Sequence, residues 1–333
     1  MISSMCSALP IRLVNLLRSH DGSRRSLILI LILIAVSLAF ATPAAAMRRL
    51  AFVVGVNTYT NLPEYRQLKN SVNDAVAIAG ALKQLNYIVA SGHDLTRSQF
   101  YASWQFFLEQ IREHDIVAIF LSGHGVEIEG QNFILPRDVP YVEFGRQEQQ
   151  KSHSISVSEL LLDIRRRSPS VAFIILDACR ENPFIPAEYR KGSANPGGLA
   201  KMEAVQGEFI MYSAAAQQIS LDRLPGDDPI RHSVYVRHLL PLMHQPNLTL
   251  HELARRLRDR VVRATEGILP SPQWPVYYDG LRGNFCLNEC TEESLDDGGK
   301  QKAQVATDRK LSDASRRLIE CYLAGRDDWE NCE

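Results

Sequence analysis

A chain of 333 residues that is 45% hydrophobic and 23% charged has the make-up of an ordinary folded enzyme. It can bury a core of one domain of about 230 to 250 residues with appendages. Its formal net charge of −1 supplies no basic field to neutralise phosphates, which excludes the usual nucleic-acid binder.

The amino terminus reads as a targeting segment. Arg24-Arg25 precede the apolar run Leu27–Ile34, which continues to Ala41, and Ala44-Ala45-Ala46 supplies the small residues a signal peptidase accepts. A spanning helix needs about 20 apolar residues, and Leu27–Ala41 is shorter than that. Residues 1–46 are therefore expected to be an export signal cleaved after Ala46, placing the protein in the periplasm or outside the cell. The alternative is an uncleaved anchor in the inner membrane formed by residues 27–46, because the region ahead of the apolar run is long. Ser23-Arg24-Arg25-Ser26-Leu27 also has the paired arginines of the twin-arginine pattern.

Residues 47–288 then alternate strand and helix signals. Leu50–Val56 is a first strand, and Ser71–Leu85 has apolar residues at helical spacing: Val72, Ala75, Val76, Ala79 and Leu82. A strand near 87–90, a helix near 98–112 and the β-branched run Ile116–Leu121 follow. Gly130 sits in a hairpin between 126–128 and 133–135. A helix over 156–167, capped by Ser156 or Ser158, leads into the apolar strand Val171–Leu176. Segment 180–199 is broken by Pro, Gly and Asn and reads as an active-site loop. Glu208–Ala214 is another strand, 215–231 a second mobile stretch, and 233–243 and 249–264 two helices. Trp274–Tyr278 closes the sheet or packs on it. Residues 289–310 read as a charged linker, and 311–333 as a short helical tail containing cysteines. Such alternation implies a mostly parallel sheet covered on both faces. The basic clusters Arg165-Arg166-Arg167 and Arg255-Arg256 read as solvated helix faces.

Two residues stand out at the ends of the two most apolar strands: His124 in Ser122-Gly123-His124-Gly125 and Cys179 in Asp177-Ala178-Cys179-Arg180. A single Cys after such a strand is more often a small buried hydrophobe, and a His beside Gly is often structural. Their conjunction at the carboxyl ends of parallel strands, where functional residues gather, points instead to a nucleophile and its base. A thiolate is the reactive form. An unperturbed Cys has a pKa of about 8.5, and a nearby imidazole lowers it or takes the proton. The backbone amides of Gly125 and Cys179 would then bind the oxyanion, a contact worth roughly 3 kcal/mol per donor.

Of the six cysteines, Cys6 lies in the leader and Cys179 is the candidate nucleophile. Cys286, Cys290, Cys321 and Cys332 remain, and in an oxidising compartment they can form two bridges. Cys286–Cys290 with Cys321–Cys332 is the most local of the three connectivities, which sequence does not separate. A zinc site competes, but the Cys-x3-Cys and Cys-x10-Cys spacings lack a second short pair.

Phe120-Leu-Ser-Gly-His-Gly125 with Asn132-Phe-Ile-Leu-Pro136, and Leu176-Asp-Ala-Cys-Arg-Glu-Asn-Pro183, resemble the caspase-like cysteine peptidases, especially their bacterial, metacaspase and orthocaspase branch. Phe52-Val-Val-Gly-Val-Asn57 and Lys69-Asn-Ser-Val-Asn-Asp-Ala75 extend the resemblance over about Arg48–Leu287. Cys179 follows His124 by 55 residues, near the spacing of about 50 seen in caspases. The resemblance implies an α/β caspase–haemoglobinase fold, a mostly parallel central sheet flanked by helices, with His124 and Cys179 as the dyad of an endopeptidase. Asp177 replaces the Gln of the animal caspase signature and Glu181 replaces its Gly. The metacaspase-type arrangement this resembles puts that Asp in the primary specificity pocket, and adds Asp74 as a second acid. The bland reading of Asp74 is a helix-start residue favoured by the macrodipole. Acids there imply cleavage after Arg or Lys, not after Asp.

The alternative is a catalytically silent member of the fold used as a binding or signalling module, although both dyad residues are present. No phosphate loop, Gly-x-Ser-x-Gly elbow or complete zincin motif occurs, since Arg255 stands where the second zincin His belongs. No cofactor or metal is therefore expected. Many metacaspases need calcium, but Asp227-Asp228 lacks the ordered spacing of a calcium loop. The partners expected are protein or peptide substrates, no nucleic acid, and a membrane only if the leader is uncleaved.

Overall fold

The computed structural model describes residues 47–290 apart from 144, 145, 180–182, 185–198, 217, 219, 270 and 289, and it does not describe the side chains of 147 and 179. The expected leader, the loop after Cys179, the linker and the tail lie largely outside those residues. Chain order is β1 (Arg49–Gly55), α1 (Ser71–Gln84), β2 (Ile88–His93), α2 (Arg97–Gln110), β3 (Ile116–Ile128), β4 (Gln131–Ile134), α3 (Gln147–His153), β5 (Ile155–Ser156), α4 (Val157–Arg165), β6 (Val171–Cys179), β7 (Glu208–Tyr212), α5 (Val234–Met243), α6 (Leu250–Thr265) and β8 (Val276–Asp279). The main sheet runs β2-β1-β3-β6-β7-β8, with β4 and β5 branching from β3. All its neighbours pair in parallel except β8, which runs antiparallel on β7. This is the expected mostly parallel α/β sheet.

The period-2 alternation of the strands sorts the core into two layers. Leu50, Phe52 and Val54 of β1 face one way with Ile119, Leu121, Ile174 and Leu176, under Phe100, Trp104 and Phe107 of α2 and Leu160, Leu161 and Ile164 of α4. Ala51, Val53, Phe120, Phe173 and Ile175 face the other way, under Ala75, Ile78 and Leu82 of α1 and the apolar sides of α5 and α6. Central strands with helices on both sides must be apolar on both, which is why these runs lack polar alternation.

Local signals set most boundaries. Thr96 starts α2 with a full capping box to Gln99, Ser156 rather than Ser158 caps α4, and Ser233 and Thr249 cap α5 and α6. Glu129 and Gly130, with φ of 51° and 76°, form the two-residue turn between β3 and β4, both left-handed as such a turn requires.

Three expectations need correction. β3 does not stop at Leu121 but continues to Ile128, and β2 extends to His93. Hydrogen bonds to neighbouring strands override the local Ser-Gly break, so His124 lies within a strand and Cys179 ends one. The described residues of 215–231 carry no helix or strand, yet they are tied down: Leu221 N–H donates to Gln273 at 3.0 Å, and Asp228 pairs with Arg237 of α5 at 2.6 Å. Finally, Arg165 is not a purely solvated charge, because its guanidinium forks onto the buried Glu208 carboxylate at 2.6 and 2.9 Å. Arg255 and Arg256 do pair with Glu252 on an exposed helix face, as expected.

Candidate active site

His124 is held from three sides. Its backbone N–H donates to the Tyr59 hydroxyl at 2.6 Å, and its ring packs against the Tyr59 ring with centroids 4.7 Å apart. Its Nε2 lies 2.7 Å from the carbonyl oxygen of Arg66. A carbonyl only accepts, so Nε2 carries the proton and Nδ1 carries the lone pair. Among the described residues this buried Nδ1 has no hydrogen-bond partner. Burial, opposed by the Arg66 carbonyl, pushes the imidazole down to about 4, so it is neutral at physiological pH.

The loop over His124 is built by local bonds. The Gln67 side chain accepts from Tyr59 N–H at 2.6 Å and donates to the carbonyls of Tyr59 and Leu62 at 2.9 and 2.8 Å. Those bonds close the turn that presents the Arg66 carbonyl. Gly123 is required for space, because a Cβ there would lie 2.8 Å from the Tyr59 hydroxyl. We expect Gly123→Ala to cost about 1–3 kcal/mol through this overlap, and Tyr59→Phe in the same chain to recover part of it. Thermal unfolding of the two single variants and the double variant checks this; additive losses would refute it.

β3 runs beside β6 as far as the end of β6, with His124 directly opposite Cys179 in the backbone register. The two candidate residues, 55 apart in sequence, are thus adjacent strand positions. The Cys179 side chain lies outside the described atoms. Beyond His124, β3 turns from β6 to β4: Leu135 N–H donates to the His124 carbonyl at 2.9 Å, and Gly125 is opposite Ile134. Antiparallel pairs alternate between bonded and non-bonded, so Gly125 is a non-bonded pair whose N–H points away from β4. A Cβ on Gly125 would come within 2.8 Å of Ala178 Cβ and 3.1 Å of Leu199. The absence of a side chain thus lets the Gly125 backbone close on the end of β6.

Asp177 and Asp74 meet on one residue, Ser233, the cap of α5. Ser233 Oγ donates to Asp177 at 2.6 Å, and Ser233 N–H donates to Asp74 at 3.1 Å. Asp177 also accepts from Ser220 Oγ at 3.2 Å, and Asp74 pairs with His232 at 2.9 Å. Both carboxylates therefore sit at the N-terminus of α5, where the helix dipole favours negative charge. Asp74 is the helix-start residue the sequence suggested, since it lies in the first turn of α1, and it is fully buried.

Sequence reading missed a third acid. Asp222 accepts from the backbone N–H groups of Lys69 and Asn70 at 3.2 and 3.1 Å, just ahead of α1. In sequence it was one of several acids in a polar stretch, and its partners are more than 150 residues away. Burial and the neighbouring Asp74 charge raise Asp177 to about 7; burial likewise raises Asp74, against His232, and raises Asp222. Ser233 joins Asp177 to Asp74, and Asp222 is close enough to feel the Asp74 charge, so burial and mutual repulsion disfavour the ionised forms of this cluster.

No group of three or more His, Cys, Asp or Glu among the described residues is arranged to hold a metal ion. Asp228, half of the pair considered for calcium, is committed to Arg237. A broad open depression of about 670 Å³ lined by Arg97, Ser98, Tyr101, Asp138 and Glu159 shares no residue with the cluster. Its polar groups pair among themselves, with Arg97 over Tyr101 at 4.9 Å and its N–H on Asp138 at 2.7 Å, so it does not compete as the site.

The family comparison falls on this same framework. The model of the caspase domain matches residues 48–305. The human mucosa-associated lymphoid tissue lymphoma translocation protein 1 is 25% identical over 197 residues, covering 56% of this chain and 23% of that protein. The mouse homolog is equally similar, with 22% of its length covered. The chain thus spans less than a quarter of the curated relatives it matches. With the match running over the whole sheet and through both motifs, the chain belongs to the caspase-domain family of peptidases and has that family's protease-type fold.

Proposed function

We propose that the protein is a cysteine-type endopeptidase that uses His124 and Cys179 and cleaves after Arg or Lys. The observation that carries this reading is the pairing of two features at the carboxyl end of the two central strands, β3 and β6. A neutral histidine, with its Nδ1 lone pair unpartnered among the described residues, stands in register with the cysteine, and a buried cluster of acids begins two residues before that cysteine.

In the proposed mechanism, Nδ1 of His124 takes the Cys179 thiol proton as sulfur attacks the scissile carbonyl carbon. The backbone amides of Gly125 and Cys179 hold the developing oxyanion. The C–N bond then breaks, the leaving amine takes the proton from Nδ1, and water attacks the thioester with His124 again as base. The Arg66 carbonyl keeps Nε2 protonated throughout, which fixes the reactive tautomer. Burial makes the imidazolium short-lived and favours return of the proton to the leaving group.

Asp177, Asp74 and Asp222 supply the pocket for the residue ahead of the scissile bond. An Arg guanidinium there forms two charge-assisted bonds, whereas an Asp would place like charges together at low effective dielectric. Cleavage-site profiling of the purified protein on a peptide library, with Cys179→Ala beside it, tests the reading. Dominance of Arg and Lys is expected; dominance of Asp would refute the pocket.

The same reading takes residues 1–46 as an export leader. The Cys286–Cys290 disulfide fits that destination. Non-reducing mass mapping of exported protein should find a first residue near Met47, that bridge intact, Cys321 paired with Cys332, and Cys179 free. Free thiols at Cys286 and Cys290 would contradict export to an oxidising compartment.

A further inference from the structure

Gln273 is fully buried between α6 and β8 and touches none of the residues proposed to react. Its backbone N–H donates to Thr265 Oγ1 at 2.9 Å, which fixes it to the end of α6. Its side-chain Nε2 donates to the Ser213 carbonyl at 2.8 Å and to Ser220 Oγ at 3.2 Å, while Oε1 accepts from Leu221 N–H at 3.0 Å. The amide has only one workable orientation. The Ser213 carbonyl can only accept and the Leu221 N–H can only donate, so a flipped amide would mismatch both.

That orientation has a consequence one bond further on. Ser220 Oγ receives an N–H from Gln273 and lies 3.2 Å from Asp177. A hydroxyl has one proton, and here it is directed at the carboxylate rather than back at the amide. A hydrogen bond given to a carboxylate favours its ionised form. We propose that Gln273 is a positioning residue that, through Ser220, holds the Asp177 carboxylate ready for a cationic substrate side chain. The proposal rests on the specificity reading above and deepens it.

The groups facing Asp177 are Asp74 from α1, Ser233 and Tyr235 from α5, and Ser213 and Ser220 from the segment after β7; His232 and Asp222 act one contact further away through Asp74. Burial and Asp74 push the carboxyl up, and the three serine hydroxyls pull it down. Gln273 controls the Ser220 share.

The test uses the purified full chain with Gln273→Leu, Ser220→Ala and the double variant. Two measurements are made across the pH range: kcat and KM on a fluorogenic peptide with Arg before the reporter, and the carbon-13 NMR titration of the Asp177 carboxyl. Gln273→Leu should raise KM roughly tenfold, the equivalent of about 1.4 kcal/mol, while kcat changes less. The Asp177 titration should move to higher pH. In the Ser220→Ala background Gln273→Leu should add little, because the effect runs through that hydroxyl. Equal effects of Gln273→Leu in both backgrounds would overturn the proposal. If Gln273→Leu does not fold, Ser220→Ala alone must reproduce the KM and titration shifts, and their absence overturns it. An unmoved Asp177 titration in both single variants overturns the positioning role whatever the substrate profile. A moved titration in a protein whose wild type does not prefer Arg or Lys overturns the specificity reading instead.

Discussion

Replacing Cys179 or His124 by alanine is expected to lower kcat/KM for peptide cleavage by roughly 10⁴- to 10⁶-fold, the range for loss of one member of a nucleophile–base unit. The double variant should be little worse than either single one, because each residue is useless without the other. The register sets position 124 beside position 179, and the Nε2 contact to the Arg66 carbonyl leaves the lone pair on Nδ1. Cys179→Ala removes one atom at the end of a strand and should keep the wild-type Tm. His124→Ala gives up a ring that is 5% exposed and packed on Tyr59, so a Tm lower by a few degrees is expected with it. Activity within tenfold of wild type in either variant would remove the dyad.

Asp177→Asn is expected to produce the second large effect, with opposite signs on function and on stability. Cleavage after Arg should fall by about 100-fold or more, mainly through KM, since a guanidinium facing an amide loses its charge-assisted partner. Alkylation of Cys179 by a small uncharged reagent should change far less. The sign of the stability effect follows from linkage. Asp177 is raised from 3.8 to about 7 in the folded protein, so between those values the folded state binds more protons than the unfolded state. Stability from this group is therefore present at low pH and lost as pH rises through about 7. Asn cannot ionise, so the variant should unfold at a higher temperature than wild type at pH 8, and the gain should vanish near pH 4.

The same titration shapes activity. Below about 7 the pocket carboxyl takes a proton and no longer attracts a cation, so wild-type kcat/KM on Arg peptides should fall as pH decreases through that value. The midpoint belongs to the coupled acids as a set. His124, pushed down to about 4, contributes nothing in that range. In Asp177→Asn the acid limb should flatten. A wild-type profile level from pH 8 to pH 5 would contradict an acidic pocket, as would an Asn variant that still selects Arg.

The sequence by itself determined the layered α/β fold, because apolar strands that bury both faces and helices with one apolar side leave few other packings. It also determined the candidate nucleophile and base, since His124 and Cys179 sit in short, distinctive motifs directly after the two most apolar runs. Asp177 was legible for a similar reason: a carboxylate at the end of such a run needs partners. Tertiary structure decided what those partners are. Ser233 joins Asp177 to Asp74 across 56 residues on one side and 159 on the other, and neither spacing has a local signature. Asp222, Tyr59 and Gln273 were invisible for the same reason, as was the Arg66 carbonyl, a backbone group that any residue would supply. Tertiary pairing also carried β3 past the Ser-Gly step, because a strand ends where its neighbours stop offering hydrogen bonds rather than where its own sequence weakens.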